Sequence, residues 1–304
     1  ASFNAPIEHW DVSTIRSFRE TFSNTKSFDQ PLAAWNTSAA TTMESMFAEA
    51  RAFNQPLDTW DVSNVEDMSG MFRDSDVQMG PIGRWDVGNV KNMHGMFSSH
   101  PSFNEDLSRW DTGSVEVMSF MFFSAASFDG DLSGWDVSRV ENMSFMFPHS
   151  NHNSDIGGWD VSNVKNMQAM FGNSKFNQNI DGWDTSSLEN ANGLFSYAKD
   201  FDQPLGQWDT SRVTDMTSMF EGATAFDQDI GGWDTSRVES MAGMFEYATS
   251  FSYHLGAWDI SSVVNARFFL KEVGLSTKAY DATLAGWASS PDPPRDLELH
   301  ADGL

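Results

Sequence analysis

Ten aspartates recur in this chain about every 25 residues, each directly after a tryptophan: Asp11, Asp61, Asp86, Asp111, Asp136, Asp160, Asp184, Asp209, Asp234 and Asp259. Carboxylates in so regular a register could hold a hard cation through oxygen ligands, or offer a partner one acidic contact per repeat. Neighbours about 5 Å apart repel by roughly 0.8 kcal/mol in a water-like dielectric, so something must offset that repulsion. One way is local: an Asp side chain accepts a hydrogen bond from the backbone amide two residues on. The other is calcium between successive turns, with Asp136, Asp160 and Asp184 as candidate ligands. The eight aspartates from Asp61 to Asp234 form the candidate binding face. Of the seven histidines, only His149 and His152 are close in sequence, and Asp155 is the nearest further metal ligand. Two sequons, Asn36-Thr37-Ser38 and Asn142-Met143-Ser144, make Asn36 and Asn142 candidate glycosylation sites.

Catalysis usually needs one unlike constellation of groups, and here the acids arrive as a repeating column. No phosphate loop, nucleophile elbow or basic aromatic patch is present. No catalytic residue is assigned, and the expectation is a protein that is not an enzyme. A hydrolase in the irregular stretch 148–155 is the weakest alternative. With no cysteine among 304 residues, disulfides, thiolate nucleophiles and thiolate zinc sites are excluded. The formal charge of −25 repels nucleic acid and anionic lipid. No apolar run approaches the length of a transmembrane helix.

What positions the aspartates is the repeat itself. Eleven tryptophans (Trp10, Trp35, Trp60, Trp85, Trp110, Trp135, Trp159, Trp183, Trp208, Trp233 and Trp258) mark its turns, and a fixed period of this size is the signature of a stacked array. Counting from the tryptophan as position 1, position 3 is always β-branched, which predicts an extended segment. Position 4 is Ser, or Gly at Gly88 and Gly113. Ser63 with Glu66, Ser138 with Glu141 and Ser236 with Glu239 read as capping boxes, so a short helix is expected to begin there. Apolar residues at positions 6, 9, 12 and 13 (Val65, Met68, Met71 and Phe72 in the third turn) fit one helical face. Methionine at positions 9 and 12 reads as core filling. A second Phe near position 19 starts the next extended stretch. The expectation is a right-handed, leucine-rich-repeat-like α/β solenoid of about eleven turns, each with a short strand and a short helix, over residues 1–270.

Residues 271–304 are expected to cap the array. Tyr280, Leu284 and Trp287 at i, i+4 and i+7 predict an amphipathic helix, and Asp296-Leu297-Glu298-Leu299-His300 alternates like a final strand. Two departures stand out. The turn after Trp135 is one residue short and lacks the second Phe, and the third turn places Gln78, between Val77 and Met79, where that Phe belongs. Each reads as loop drift or as a local recess.

The string Phe53-Asn54-Gln55-Pro56-Leu57-Asp58-Thr59-Trp60-Asp61-Val62-Ser63-Asn64-Val65-Glu66-Asp67-Met68-Ser69-Gly70-Met71-Phe72 resembles the Mycoplasma-type lipoprotein repeat, also called the BspA-like surface-protein repeat. The resemblance runs from Phe3 to about Leu270. It implies an extracellular or cell-surface protein, and some relatives adhere to host proteins. The function expected is thus a non-enzymatic interaction or adhesion module with a repetitive acidic face, whose partner is an extracellular protein or glycan. The alternatives are a subunit of a surface layer or filament, self-associating through the array ends, and a calcium-dependent glycan-binding protein. No cofactor other than calcium is suggested.

Overall fold

The computed structural model describes residues 3–289. The chain divides into two compact units, Ala1–Asn142 with His149–Ser154, and Met143–Pro148 with Asp155–Leu304. Both are built from the same stacked turn.

The expected α/β architecture is overturned. Among the described residues the only helices are a single 3₁₀ turn, η1 (Ile82–Arg84), and one α-helix, α1 (Thr277–Ala288). Strands are replaced by isolated parallel bridges between position 8 of successive turns, such as Asp67 with Asn92 and Asn190 with Asp215. These bridges fall in the segment assigned to helix, not at Trp-Asp-Val. The capping boxes are absent too, since the Ser63 amide and hydroxyl donate to Asp61 Oδ1 instead.

The physical reason lies in two backbone positions. Residues 11 and 15 of each turn have positive φ: Gly70 and Asp74, Gly95 and Ser99, Ala169 and Asn173, Gly193 and Tyr197. A left-handed residue cannot continue a right-handed helix. Each left-handed residue instead closes a tight turn. Met71 N–H donates to Met68 O at 3.1 Å across Gly70, and Ala50 N–H to Phe47 O at 3.0 Å across Glu49. The apolar spacing 6, 9, 12, 13 is met as well by these consecutive turns as by a helix.

The turns leave alternate amides pointing along the stack. The N–H groups of Met43, Ser45, Phe47 and Glu49 donate to the carbonyls of Asp67, Ser69, Met71 and Arg73 one turn on, at 2.8–2.9 Å. In the second unit, Met167, Ala169, Phe171 and Asn173 do the same to Asn190, Asn192, Leu194 and Ser196. The amide at position 10 is met by the side chain at position 8, as in Ser69 N–H to Asp67 Oδ1 and Thr217 N–H to Asp215 Oδ1. The backbone donors of this segment are therefore satisfied without helix or sheet.

The apolar columns close the core. Phe72 stacks on Phe47 at 5.8 Å and on Phe97 at 5.9 Å, and within a turn Phe195 lies 3.9 Å from Phe201. Offset aromatic pairs contribute about 0.5–1.5 kcal/mol each beyond the area they bury. The tryptophans stack at 6.2–6.4 Å, as in Trp35–Trp60, Trp159–Trp183 and Trp233–Trp258. Within each unit the indole Nε1 of a stacked tryptophan donates to the Leu or Ile carbonyl that precedes the previous tryptophan, as in Trp60 to Leu32 O and Trp208 to Ile180 O. The tryptophan is buried ring and cross-turn tie at once.

Helix α1 ends the second unit by imitation. Its Trp287 Nε1 donates to Leu255 O at 2.9 Å, the bond a twelfth repeat tryptophan would make. Ser276 caps the helix by accepting from Ala279 N. Thr283, buried, accepts the Leu255 amide at 2.9 Å. Tyr280 and Leu284 are only half-buried. The helix comes so near the last turn that a Cβ on Gly286 would lie 2.2 Å from Gly256 O. The alternating segment from Asp296 to His300 lies outside the described residues.

Candidate functional site

The aspartate column sits on exposed backbone just outside the tryptophan stack. Asp61, Asp86, Asp111 and Asp136 belong to the first unit, and Asp160, Asp184, Asp209 and Asp234 to the second. Each places one carboxylate oxygen in the same local bond. The Oδ1 atom accepts the amide two residues on, from Ser63, Gly88, Gly113, Ser138, Ser162, Ser186, Ser211 and Ser236, at 2.9–3.2 Å. This is the Asx turn. The Ser63 hydroxyl adds a second donor at 2.7 Å. These serine hydroxyl and amide bonds hold the carboxyls of Asp61, Asp136, Asp184 and Asp234 below the usual range. Donors aimed at the anion thus offset the repulsion between neighbours.

The backbone oxygen of the same aspartates is used as well. Where position 3 is threonine, its buried hydroxyl donates to the next aspartate's carbonyl, as in Thr37 to Asp61 O and Thr185 to Asp209 O. The column is therefore held through side chain and backbone, its residues are exposed, and the second carboxylate oxygens of Asp111 and Asp136 lie beside Gly88 and Gly113 of the neighbouring turn. Gly88 and Gly113 interrupt the hydroxyls: a Cβ at Gly88 would touch both Asp86 and Asp111. Among the described residues no group of three or more His, Asp or Glu side chains is placed to hold a metal ion.

The two histidines of the short turn are not brought together. His149 is exposed, with a φ of 58°, and meets Phe123 edge-on at 5.8 Å. His152 is fully buried in the column of second phenylalanines, stacked on Phe128 at 5.7 Å. Burial pushes its imidazole down to about 4, against the weaker upward pull of Asp129 and Asp131. Asp155 accepts the Gly157 amide.

A comparable repair occurs in the third turn. Val77 and Met79 turn inward, and Gln78 turns out. The His100 ring is buried beside the missing phenylalanine's place, 5.6 Å from Phe103, with Nε2–H donating to Val77 O at 3.0 Å. Its buried Nδ1 has no hydrogen-bond partner and lies 3.9 Å from Asp76 Oδ1. Burial lowers this imidazole's pKa too.

A second column, at position 20, ties loop backbone between turns. Asp29 Oδ1 accepts Asn54 N–H and Gln55 Nε2, and Asp202 Oδ1 accepts Asp227 N–H and Gln228 Nε2. Of the sequon residues, Asn36 is exposed and its Oδ1 accepts from the Ser38 amide and hydroxyl. Asn142 is half-buried in the bridge column opposite Val117. The position 8 side chains, which cap the turns, carry no prediction from sequence. Their signal was present as Asp or Asn in Asp67, Asn92, Asn166, Asn190 and Asp215.

This arrangement, with side chains at fixed positions serving the same bond in every turn, defines a tandem-repeat protein. The family model described as "Mycoplasma protein of unknown function, DUF285" matches residues 1–80, 74–180 and 171–283. The chain belongs to this family. No curated protein matches it. No helix among the described residues is long and apolar enough to cross a membrane.

Proposed function

We propose that the protein is a non-enzymatic, BspA-like interaction module of the extracellular space or cell surface, and that the aspartate column is its contact face. The observation behind this reading is the repeated Asx turn. It fixes one exposed carboxylate in nearly every turn, Asn36 standing in the second, so a partner that meets one site meets several alike. Contacts too weak to matter singly then add through multivalency. On a chain of net charge −25 the favoured partners are basic extracellular proteins, or glycans bridged by calcium. Array binding to matrix proteins and glycans, with and without calcium, tests this. Binding that fades as Asp61, Asp86, Asp111 and Asp136 are changed to Asn one after another supports it. Binding indifferent to all four substitutions contradicts it.

A further inference from the structure

The repeat is least regular between residues 77 and 84, and that irregularity opens a groove in the first unit. Gly80 has a φ of 73°, Pro81 follows, and the tight turn before the tryptophan becomes η1. Gly83 nearly touches the next turn, since a Cβ there would overlap Asp106 O. The result is an open groove of about 220 Å³ lined by Pro81, Gly83, Arg84, Glu105, Asp106 and Arg109.

Its lining carries two charges of each sign, and after the Ser108 hydrogen bonds the nearby Arg109 charge helps to hold the Asp106 carboxyl below its usual range. Arg84 and Arg109 stand at the same position of successive turns, both exposed, and among the described residues neither pairs with a carboxylate within 4.0 Å. Two neighbouring guanidinium forks are a ready site for a carboxylate, which they can hold through paired hydrogen bonds. The other wall is acidic. Asp106 Oδ1 is committed to the Ser108 amide, while Glu105 is half-buried, and that burial raises its carboxyl pKa. A dianion such as phosphate would be repelled by that wall. A monoanion that also carries hydroxyl donors fits both sides.

Size and shape narrow the choice. The volume is below the roughly 300 Å³ at which drug-sized sites begin, so the occupant is about one sugar ring. The groove is open to solvent, and the exposed Pro81 adds an apolar ring to its lining. Beyond Glu105 lies a notch of about 10 Å³, lined also by Gln78, His100 and Ser102. That is space for about one hydroxyl or water. His100 borders this notch, and with Nε2 donating to Val77 O its buried, partnerless Nδ1 carries a lone pair.

We propose that this groove binds a uronic acid unit of a polysaccharide. Arg84 and Arg109 grip the sugar carboxylate, and Glu105 and Asp106 accept its hydroxyls. The site lies at other positions of the turn than the aspartate column, so its test stands whether or not that column binds anything.

The test is an NMR titration of the full chain with sodium galacturonate, with galactose and acetate as separate probes. Galacturonate is expected to shift the amides of Gly83, Arg84 and Arg109, and each other probe to bind at least several-fold more weakly. Arg84→Ala or Arg109→Ala should weaken binding about tenfold, the scale of one lost charge-assisted hydrogen bond. Arg212→Ala in the second unit should leave it unchanged. Should either arginine variant misfold, Arg84→Gln and Arg109→Gln replace it. No shift at these amides, acetate binding as well as galacturonate, or arginine variants that bind undiminished would each overturn the assignment.

Discussion

Acid should loosen the first unit through one imidazole. His152 is fully buried against Phe128, and its pKa falls from the ordinary 6.5 to about 4. The unfolded chain therefore takes up this proton first as pH falls. The stability tied to the neutral ring is complete above about pH 6.5 and is lost progressively toward pH 4. A depression of about two and a half pKa units, at 1.36 kcal/mol each, corresponds to about 3 kcal/mol over that window. Many carboxylates titrate nearby, so the comparison must cancel them. His152→Phe does this: it restores the ring type that Phe128 and Phe103 have in the same column and removes the titration, while the loss of the 3.5 Å Ser154 hydroxyl contact shifts stability by the same amount at every pH above the titration. Urea unfolding of both proteins, followed by tryptophan fluorescence from pH 7 to 4.5, reads the difference. The variant should gain on the parent by about 2–3 kcal/mol between those limits. Two curves that stay parallel through the whole range would refute the reasoning.

Other outcomes follow from the turn geometry. Gly95 has a φ of 59° and room for a methyl group, with the nearest atom 3.7 Å from a built Cβ. Gly95→Ala should therefore cost about 1 kcal/mol through backbone strain alone, and Ala169→Gly, at a φ of 50°, should stabilise by a similar amount. Denaturation midpoints check both. Thr283→Val leaves the buried Leu255 amide without its acceptor and should cost about 1–3 kcal/mol, with faster amide exchange across α1. Asp61→Ala removes the acceptor of the Ser63 amide and hydroxyl and should lower stability by about 1 kcal/mol. If calcium bridges the aspartate column, chelator should lower the melting midpoint; an unchanged midpoint ends that idea.

The period of the tryptophans made the core legible in the sequence, because only stacking buries an indole, two methionines and two phenyl rings in each regular turn. The cap helix was legible from Tyr280, Leu284 and Trp287, although Thr283 is more buried than Leu284 and its role as an acceptor left no apolar signal. The strand-and-helix assignment failed for a definable reason. Spacings of three, three and one suit a run of tight turns as well as a helix, and the deciding feature is the sign of φ at positions 11 and 15. Gly70, Gly95, Gly193 and Gly243 at one position, and Asn24, Asp74, Asn173 and Gly222 at the other, carried that information. Phe120, Ala169 and Tyr247 obscured it by adopting the same conformation at some strain. The column at position 8 was unread because Asp67 and Asn92 fall inside the segment expected to be helix, where a polar residue between apolar positions carries no special signal. At the candidate site, the aspartate register was plain from sequence, whereas the groove beside Arg84 depends on how the third turn repairs its missing ring.

The central claim is that each turn is a chain of tight turns with two left-handed residues, tied to its neighbours by alternate amides. Backbone chemical shifts and scalar couplings from the deuterated protein measure this directly over residues 68–74 and 167–173. The account predicts positive φ at Gly70, Asp74, Ala169 and Asn173, with the amides of Met68, Gly70, Met167 and Ala169 protected from exchange. Continuous helical shifts across either segment would contradict it.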